Sequence, residues 1–237
     1  MSKTCIFLVL AAVVAFAADP QFEVATIRPS AGGPGGFAPG VRNGRFYTTE
    51  SSLKTLIGYA YLIPDIQISG PGWIDSQFFD ITATLPAGST PDQAPPMLRA
   101  LLEERFHLKS HREMVEMNYY ALTIGKDGTK LKELIPGEPI PTPKFGPDRP
   151  PSTLMTNGTV ADFAAFLAKT MGRPILDKTG LAGRFHILLQ YTPPSSTLPG
   201  PDILTAMQEQ LGLKLEAQKG PVDILKVDSA DKAPTDN

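Results

Sequence analysis

The chain has 237 residues, which fits one large domain or two small ones. Hydrophobic residues make up 42% and charged residues 19%, so the chain can bury a core and is not disordered throughout. The net charge of −2 gives no basic excess, which argues against a dedicated nucleic-acid binder. The 24 prolines and 21 glycines predict long loops between the regular elements.

The N-terminus has the three parts of a secretory signal peptide. Lys3 supplies the positive charge, residues 5–16 form an unbroken apolar run, and residues 15–17 are a small-x-small cleavage signature. A membrane-spanning helix needs about 20 apolar residues, so we prefer cleavage between Ala17 and Ala18 to a membrane anchor. The mature protein is then exported, either to the periplasm or to the outside of the cell.

Export leaves a chain without cysteine. Cys5 is the only cysteine, and it precedes the apolar run instead of marking the cleavage point, so we do not expect it to be lipidated. The mature chain therefore has no disulfide, no thiol nucleophile and no thiolate metal ligand. No later stretch is long and apolar enough to span a bilayer, so we expect no transmembrane segment after cleavage.

Stretches rich in glycine and proline divide the rest of the chain. Residues 30–44 are predicted to be a flexible surface loop, and residues 192–201 a shorter break. Residues 136–151 contain seven prolines and are predicted to be a linker, because proline disrupts helices and central strands. The polar tail from Ser229 is expected to fray. The resulting division is signal peptide 1–17, first α+β unit 18–135, linker 136–151, second α+β unit 152–228 and flexible tail 229–237.

Four segments repeat apolar residues with a helical period, and strand-like alternation lies between them. Thr159 and Asp202 are placed as N-caps of the last two helices, and Gly212 closes the fourth. The helical stripes are Leu53, Leu56, Ile57 and Ala60; Leu98, Leu101, Leu102 and Phe106; Val160, Phe163, Ala164, Leu167 and Met171; and Leu204, Met207 and Leu211. The strand candidates are residues 79–83, 120–124, 185–189 and 222–227.

The two halves carry these elements in the same order, at an offset of roughly 105 residues. Each half reads strand–helix–strand–helix–strand. We therefore predict an α+β fold of two related βαβ-type units, an internal duplication joined by the proline-rich linker. In this arrangement Phe79 and Ile81 are the counterparts of Phe185 and Ile187, and all four are expected in the core.

Two motifs resemble catalytic signatures, and both have a simpler structural interpretation. Ser51 and Lys54 have the S-x-x-K spacing of penicillin-recognising enzymes, with K-T-G at 178–180, but the S-x-N element between them is absent. We therefore interpret Ser51 as a helix cap and Lys54 as a solvated side chain. The D-K-T-G of residues 177–180 resembles the phosphorylated-aspartate motif of cation-pump ATPases, but Leu181 stands where a threonine should follow. We interpret the segment as a turn in which Gly180 and Gly183 permit a positive φ.

The histidines and the single tryptophan are the remaining candidates. His107 and His111 are four residues apart, a spacing that can bind a metal on a helix. Their surroundings alternate like a strand, on which four residues span about 13 Å, so no metal site is expected. Trp73, in a Gly/Pro loop, is a candidate ligand contact, although an aromatic near a turn more often fills the core.

Several blocks of the sequence together resemble a known family. The blocks LKTLIGYAY, QISGPGWIDSQFFDITA, RPILDKTGLAGRF and EQLGLKLEAQKGPVDILKVD resemble the soil-associated protein family of Acidobacteria, a domain of unknown function. The resemblance covers roughly residues 21–232. It implies an exported bacterial protein and, because similar domains occur behind metallopeptidase-type sensor proteins, an extracytoplasmic sensing or binding role.

This chain departs from the family's pattern at two places. His186 stands where an aspartate is common, and Ser229-Ala230 replaces a more typical His-Val or similar pair, which argues against catalysis at these positions. More distantly, residues 153–228 are similar in pattern to the short N-terminal domain of secretins and TonB-dependent receptors.

We therefore expect an exported envelope protein that acts as a non-enzymatic binding, interaction or sensing module. It has no catalytic residues, metal or cofactor, and its partner is an unidentified envelope protein or ligand. The alternative is a hydrolase acting on a cell-wall or polymer substrate. A hydrolase predicts clustered polar groups with perturbed pKa values in a cleft, whereas a binding module predicts an exposed apolar or edge-strand surface.

Overall fold

The computed structural model describes residues 20–32, 36–135, 137 and 152–235. The predicted signal peptide and its cleavage point, Ala17 and Ala18, lie outside these ranges. So does the predicted linker at 136–151, except for Gly137. No helix within the described ranges is both long enough and apolar enough to cross a membrane.

These ranges form an α+β fold, as predicted, with eleven strands in three sheets and four α-helices. The helices are α1 (Leu53–Tyr61), α2 (Ala94–Arg105), α3 (Val160–Met171) and α4 (Ile203–Ala206), and α4 continues into a π-helical turn, Met207–Leu211. The strands are β1 (Val24–Ser30), β2 (Gly40–Arg42), β3 (Arg45–Ser52), β4 (Ile68–Ser69), β5 (Phe78–Thr84), β6 (Lys109–Ile124), β7 (Lys132–Glu133), β8 (Ser152–Gly158), β9 (Ile175–Asp177), β10 (Phe185–Tyr191) and β11 (Leu213–Ser229).

The first sheet has the order β1-β5-β3-β2, with every pair antiparallel. It shares a core with α1 and α2, to which Phe79 and Ile81 contribute buried side chains. Residues 40–44, predicted to be part of a flexible loop, instead form β2 and its turn into β3. Asn43 and Gly44 supply the two positive φ angles that a two-residue hairpin turn requires.

A second core lies between α3, α4 with its π-helical turn, and the three-stranded antiparallel sheet β7-β10-β8. Phe185, Ile187 and Leu189 of β10 are buried there, as their alternation predicted. In the fourth helical stripe, Met207 and Leu211 are buried but Leu204 is 44% exposed. The prediction for Leu204 is wrong because the helix widens into the π-helical turn after one turn, which changes the period that relates these residues.

The central sheet, ordered β4-β11-β6-β9, joins the two halves. The long strands β6 and β11 pair antiparallel almost end to end, from Leu213 opposite Ile124 to Ser229 opposite Lys109. The short strand of each half pairs in parallel with the long strand of the other half, β4 with β11 and β9 with β6. The cores are likewise shared, since β11 contributes Leu225 and Val227 to the first core and β6 contributes Leu122 to the second.

The order and pairing of the elements correspond between the halves. The series β3-α1-β4-β5-α2-β6 is followed by β8-α3-β9-β10-α4-β11, and β3 pairs with β5 as β8 pairs with β10. These neighbouring strands are antiparallel, so each half differs from a parallel βαβ unit. The internal duplication itself stays a prediction, because equal order does not show common origin.

The helix stripes and caps follow the sequence closely. Leu56, Ile57, Phe163 and Leu167 are fully buried, as expected. Thr159 forms a capping box with Asp162 at the start of α3, and the Asp202 carboxylate accepts the backbone N–H of Thr205 at the start of α4. The flexible tail from Ser229 stays a prediction, although two of its described residues contact the end of α2. The backbone N–H groups of Asp231 and Thr235 donate to the carbonyls of Phe106 and Arg105, at 2.7 and 2.8 Å.

Candidate functional site

Trp73 lies in a 3₁₀ turn, Gly72–Asp75, and is partly buried against the first core. Its carbonyl accepts the backbone N–H groups of Ser76 and Gln77, at 3.0 and 2.9 Å. These hydrogen bonds stabilise the turn that contains Trp73. A ligand contact by Trp73 stays a prediction.

The S-x-x-K residues have structural partners that differ from those expected. Ser52, not Ser51, caps α1 by accepting the backbone N–H of Thr55 at 3.1 Å. Ser51 is buried in β3, and the partly exposed Lys54 forms an ion pair with Asp75 at 3.1 Å. The Ser51 hydroxyl contacts the hydroxyl of Thr48 inside the fold, whereas Ser52 is the N-cap that precedes the first helical residue, Leu53.

The D-K-T-G segment folds as a turn, as interpreted. The Asp177 carboxylate accepts the backbone N–H and the hydroxyl of Thr179, at 2.9 and 2.7 Å. Gly180 has a φ of +68°. This segment follows β9 in the central sheet, whereas Ser51 belongs to the first sheet, so the two motifs lie on different elements.

The histidines each contact a side chain of another element. His107 is not on a strand as predicted, because β6 begins only at Lys109, and His107 has a φ of +47°. Its Nδ1 lies 2.8 Å from Asp231, and Nδ1 of His111 lies 2.8 Å from Asp228. His186 contacts the Asn157 side chain across β10 and β8, at 2.7 Å. Within the described part of the chain, no group of three His, Cys, Asp or Glu side chains could hold a metal ion.

A cluster of polar side chains borders a cavity of about 450 Å³ between the end of α1, the start of α2 and the start of β6. We call it the α1–α2 cleft. Apolar groups from three elements form part of its lining: Ala60, Leu62, Pro95, Pro96 and Leu225. Polar groups form the rest: Tyr61, Arg99, Ser110, His111 and Arg112.

A hydrogen-bond network connects three sides of this cleft. The Ser110 hydroxyl donates to the Tyr61 hydroxyl at 3.0 Å, which donates to the Glu103 carboxylate at 3.1 Å. Arg99 donates through Nε to the same carboxylate at 2.8 Å. The Arg99 guanidinium also lies over the Tyr61 ring, 4.8 Å from its centroid. These contacts tie the end of α1 to α2 and β6.

The pKa shifts in this network favour the protonated forms of Tyr61 and Arg99. Burial raises the pKa of Tyr61, partly opposed by the hydrogen bond from Ser110, and the nearby Glu103 raises it further. The hydrogen bond to Glu103 raises the pKa of Arg99. Tyr61 therefore remains a neutral phenol and Arg99 a cation at neutral pH, so both serve as hydrogen-bond donors.

A second set of contacts lines the β6 side of the cleft. Arg112 forms an ion pair with Asp223 of β11, and its Nη2 donates to the Tyr61 carbonyl at 3.4 Å. The His111–Asp228 pair resembles the oriented histidine of some hydrolases. However, Ser110 and His111 are neighbours on a strand, so their side chains point to opposite faces, and Ser110 contacts Tyr61 instead.

Leu62 is the residue of the cleft that local structure does not explain. It follows α1 in the left-handed conformation, with φ of 52° and ψ of 45°, and the residue is 77% exposed. The left-handed region costs an L-residue roughly 1–2 kcal/mol, which is why glycine usually ends a helix there. Leu62 thus combines backbone strain with a large apolar side chain in water.

The second half ends its helices in the ordinary way. Gly172 ends α3 and Gly212 ends the π-helical turn, both with positive φ. At the corresponding places of the first half the chain has Leu62 after α1 and His107 just beyond α2. The first half therefore carries side chains at both positions where the second half has glycine.

Sequence reasoning did not single out the cleft. Its polar residues come from α1, α2 and β6, and only the three from β6 are neighbours in the sequence. One signal was present, because the helical stripe that ends near Ala60 is followed by Leu62 and Pro64 with no glycine at the expected stop.

Comparison with known proteins places most of the chain in one family. Residues 54–230 match the model of a protein family of unknown function, DUF3738, and the chain belongs to this family. Neither the curated proteins nor the solved structures contain a match to the chain. The resemblances to an acidobacterial family and to the secretin domain stay predictions.

Proposed function

Starting from a family whose function is not established, we propose that this protein is a non-enzymatic binding module and that the α1–α2 cleft holds its ligand. The observation that carries the proposal is Leu62, an exposed leucine in a strained conformation beside the cavity. Strained residues persist where the surrounding structure enforces them, and they concentrate at binding sites. A ligand that covers Leu62 would compensate for the exposure of this side chain.

The lining of the cleft favours a ligand with an apolar body and an anionic group. Leu62 and Pro96 offer exposed apolar contacts, and Arg99 and Arg112 offer guanidinium groups at the border. Each arginine already contacts one carboxylate, but a guanidinium has five N–H donors, so one such pair does not exhaust it. A peptide with an apolar last residue and a free terminal carboxylate has this chemistry.

The cleft can be tested by calorimetric titration with an acetylated peptide that ends in leucine, compared with its C-terminal amide. We expect binding of the free acid and weaker binding of the amide. Leu62→Ser and Arg112→Ala should each weaken binding about tenfold, the effect of about 1.4 kcal/mol. Leu204→Ser, at another exposed leucine, is the matched control. Equal binding by wild type and both cleft variants would contradict the assignment.

The alternative function, a hydrolase, is favoured by one observation, the His111–Asp228 pair beside the cleft. The orientation of Ser110, whose hydroxyl contacts Tyr61 and not His111, supports binding instead. Turnover of cell-wall fragments or polymers by the wild type, abolished in His111→Ala, would favour the hydrolase.

We further propose that the protein acts in the bacterial envelope after export. Lys3, the apolar run at 5–16 and the Ala17–Ala18 junction support this location. N-terminal sequencing of the exported protein should begin at Ala18. A mature fraction that retains Met1 would contradict it.

A further inference from the structure

β8 is an edge strand of the three-stranded sheet β7-β10-β8, and its sequence lacks the features that usually protect such an edge. β8 pairs only with β10 among the described strands, in a seven-residue register without a bulge. Its sequence, STLMTNG, contains no charged residue and no proline. Natural edge strands are normally interrupted by lysine, proline or a bulge, because an open edge accepts another strand.

In the first half, another strand covers the edge that corresponds to the outer side of β8. β3, the counterpart of β8 in element order, is covered on its outer side by β2, which is joined to it by a tight turn. The first sheet thus has four strands, whereas the sheet β7-β10-β8 has three. Among the described residues, no strand takes the place of β2 on the outer side of β8, so this edge can accept a strand of another chain.

We propose that β8 pairs with β8 of a second copy of this chain, antiparallel about a two-fold axis at Met155. In this register Met155 lies opposite Met155, and Leu154 lies opposite Thr156. The six strands of two sheets then form one continuous sheet, and the closed two-fold arrangement leaves no open β8 edge.

Three properties of β8 favour its pairing with β8 of a second copy of the chain. Because β8 carries no charge, no like charges meet across the axis. Met155 is 49% exposed and lies beside Leu188 of β10, so pairing covers an apolar side chain that is now in water. Thr153 would lie opposite Asn157, and both side chains can hydrogen-bond across the strands.

One existing contact lies at the end of this edge. The Asn157 carbonyl accepts a hydrogen bond from Arg184 Nη2 at 2.8 Å. A carbonyl oxygen has two lone pairs, so it can keep this contact while the central residues of the strand form the new ladder. The Arg184 contact therefore affects the ladder between the two β8 strands only near Asn157, and the pairing stays centred on Met155.

The test measures the oligomeric state of the mature chain by sedimentation velocity, from about 1 μM to about 1 mM. We expect a dimer that dissociates on dilution. Met155→Lys and Met155→Glu should each weaken dimerisation about tenfold, because each places like charges at the axis. A mixture of the two variants should regain association, which also shows that both variants are folded.

Leu204→Lys, another exposed apolar residue of the second half, is the control and should dimerise like the wild type. A wild-type chain that is monomeric at every concentration would overturn the proposal. So would a dimer that Met155→Lys leaves unchanged, or a mixture that associates no better than its components.

Discussion

Leu62 has a strained backbone that lowers the stability of the fold, and it supplies an exposed apolar side chain to the α1–α2 cleft. Its left-handed backbone costs an L-residue roughly 1–2 kcal/mol, and glycine would avoid this cost at an entropic penalty of about 0.5–1 kcal/mol in the unfolded chain. We therefore expect Leu62→Gly to raise the free energy of unfolding by up to about 1 kcal/mol, measured by urea denaturation, and to weaken ligand binding.

The matched control for this substitution is Gly172→Leu, which creates the same strain at the end of α3. A side chain there meets open space, so strain is the main cost, and the loss should be about 1 kcal/mol or more. A Leu62→Gly variant less stable than the wild type would show that the leucine side chain stabilises the fold.

Phe163 is the residue at which packing dominates. It is fully buried in the second core, on the apolar stripe of α3. Phe163→Ala should lower the free energy of unfolding by about 3–5 kcal/mol, because it removes a buried ring and leaves a cavity. Phe166→Ala, on the same helix but 46% exposed, should cost clearly less. Equal losses in calorimetric or urea unfolding would contradict the assigned orientation of α3.

At the scale of elements, the start of α4 provides a cap that depends on pH. The hydrogen bond from the Thr205 backbone N–H holds the pKa of Asp202 below its ordinary value. The folded state therefore binds this proton less readily than the unfolded state. The stabilisation is present above the unfolded-state pKa and is lost as the pH falls through the folded-state pKa.

Asp202→Ala should accordingly be less stable than the wild type at about pH 7, and the difference should be smaller at about pH 2, where the charge of the carboxylate is lost. Asp202→Asn keeps a capping side chain without a titrating group, so it should keep most of the stability at neutral pH. Urea midpoints at the two pH values test this. A difference between wild type and Asp202→Ala that persists unchanged in acid would contradict the mechanism.

At the scale of the whole molecule, the long ribbon of β6 and β11 makes the halves depend on each other. The first core takes Leu225 and Val227 from the second half, and the second core takes Leu122 from the first. We expect fragments 18–135 and 152–237 to lack cooperative thermal unfolding when separate, because each loses buried apolar contacts and a strand partner.

Mixing the two fragments should restore a folded complex, with dispersed amide signals in NMR spectra. The intact mature chain is the reference. A fragment that alone unfolds cooperatively, with the signals it has in the intact chain, would show that its core does not need the opposite strand.

Local features were readable from the sequence because their causes are local. The stripes of α1 and α3, the alternation of Phe185 to Leu189, and the caps at Thr159 and Asp202 each depend on residues a few positions apart. The prediction failed at Leu204, which is exposed in α4 just before the helix continues into the π-helical turn.

By itself, therefore, the sequence determined the α+β class, the helix faces and the order of elements in each half. Only the tertiary structure decided the partners. The pairing of β6 with β11 joins residues about a hundred positions apart, and no local period specifies which strand a strand will meet. The α1–α2 cleft arises for the same reason, since Tyr61, Arg99 and Ser110 come together only when α1, α2 and β6 pack around the first core.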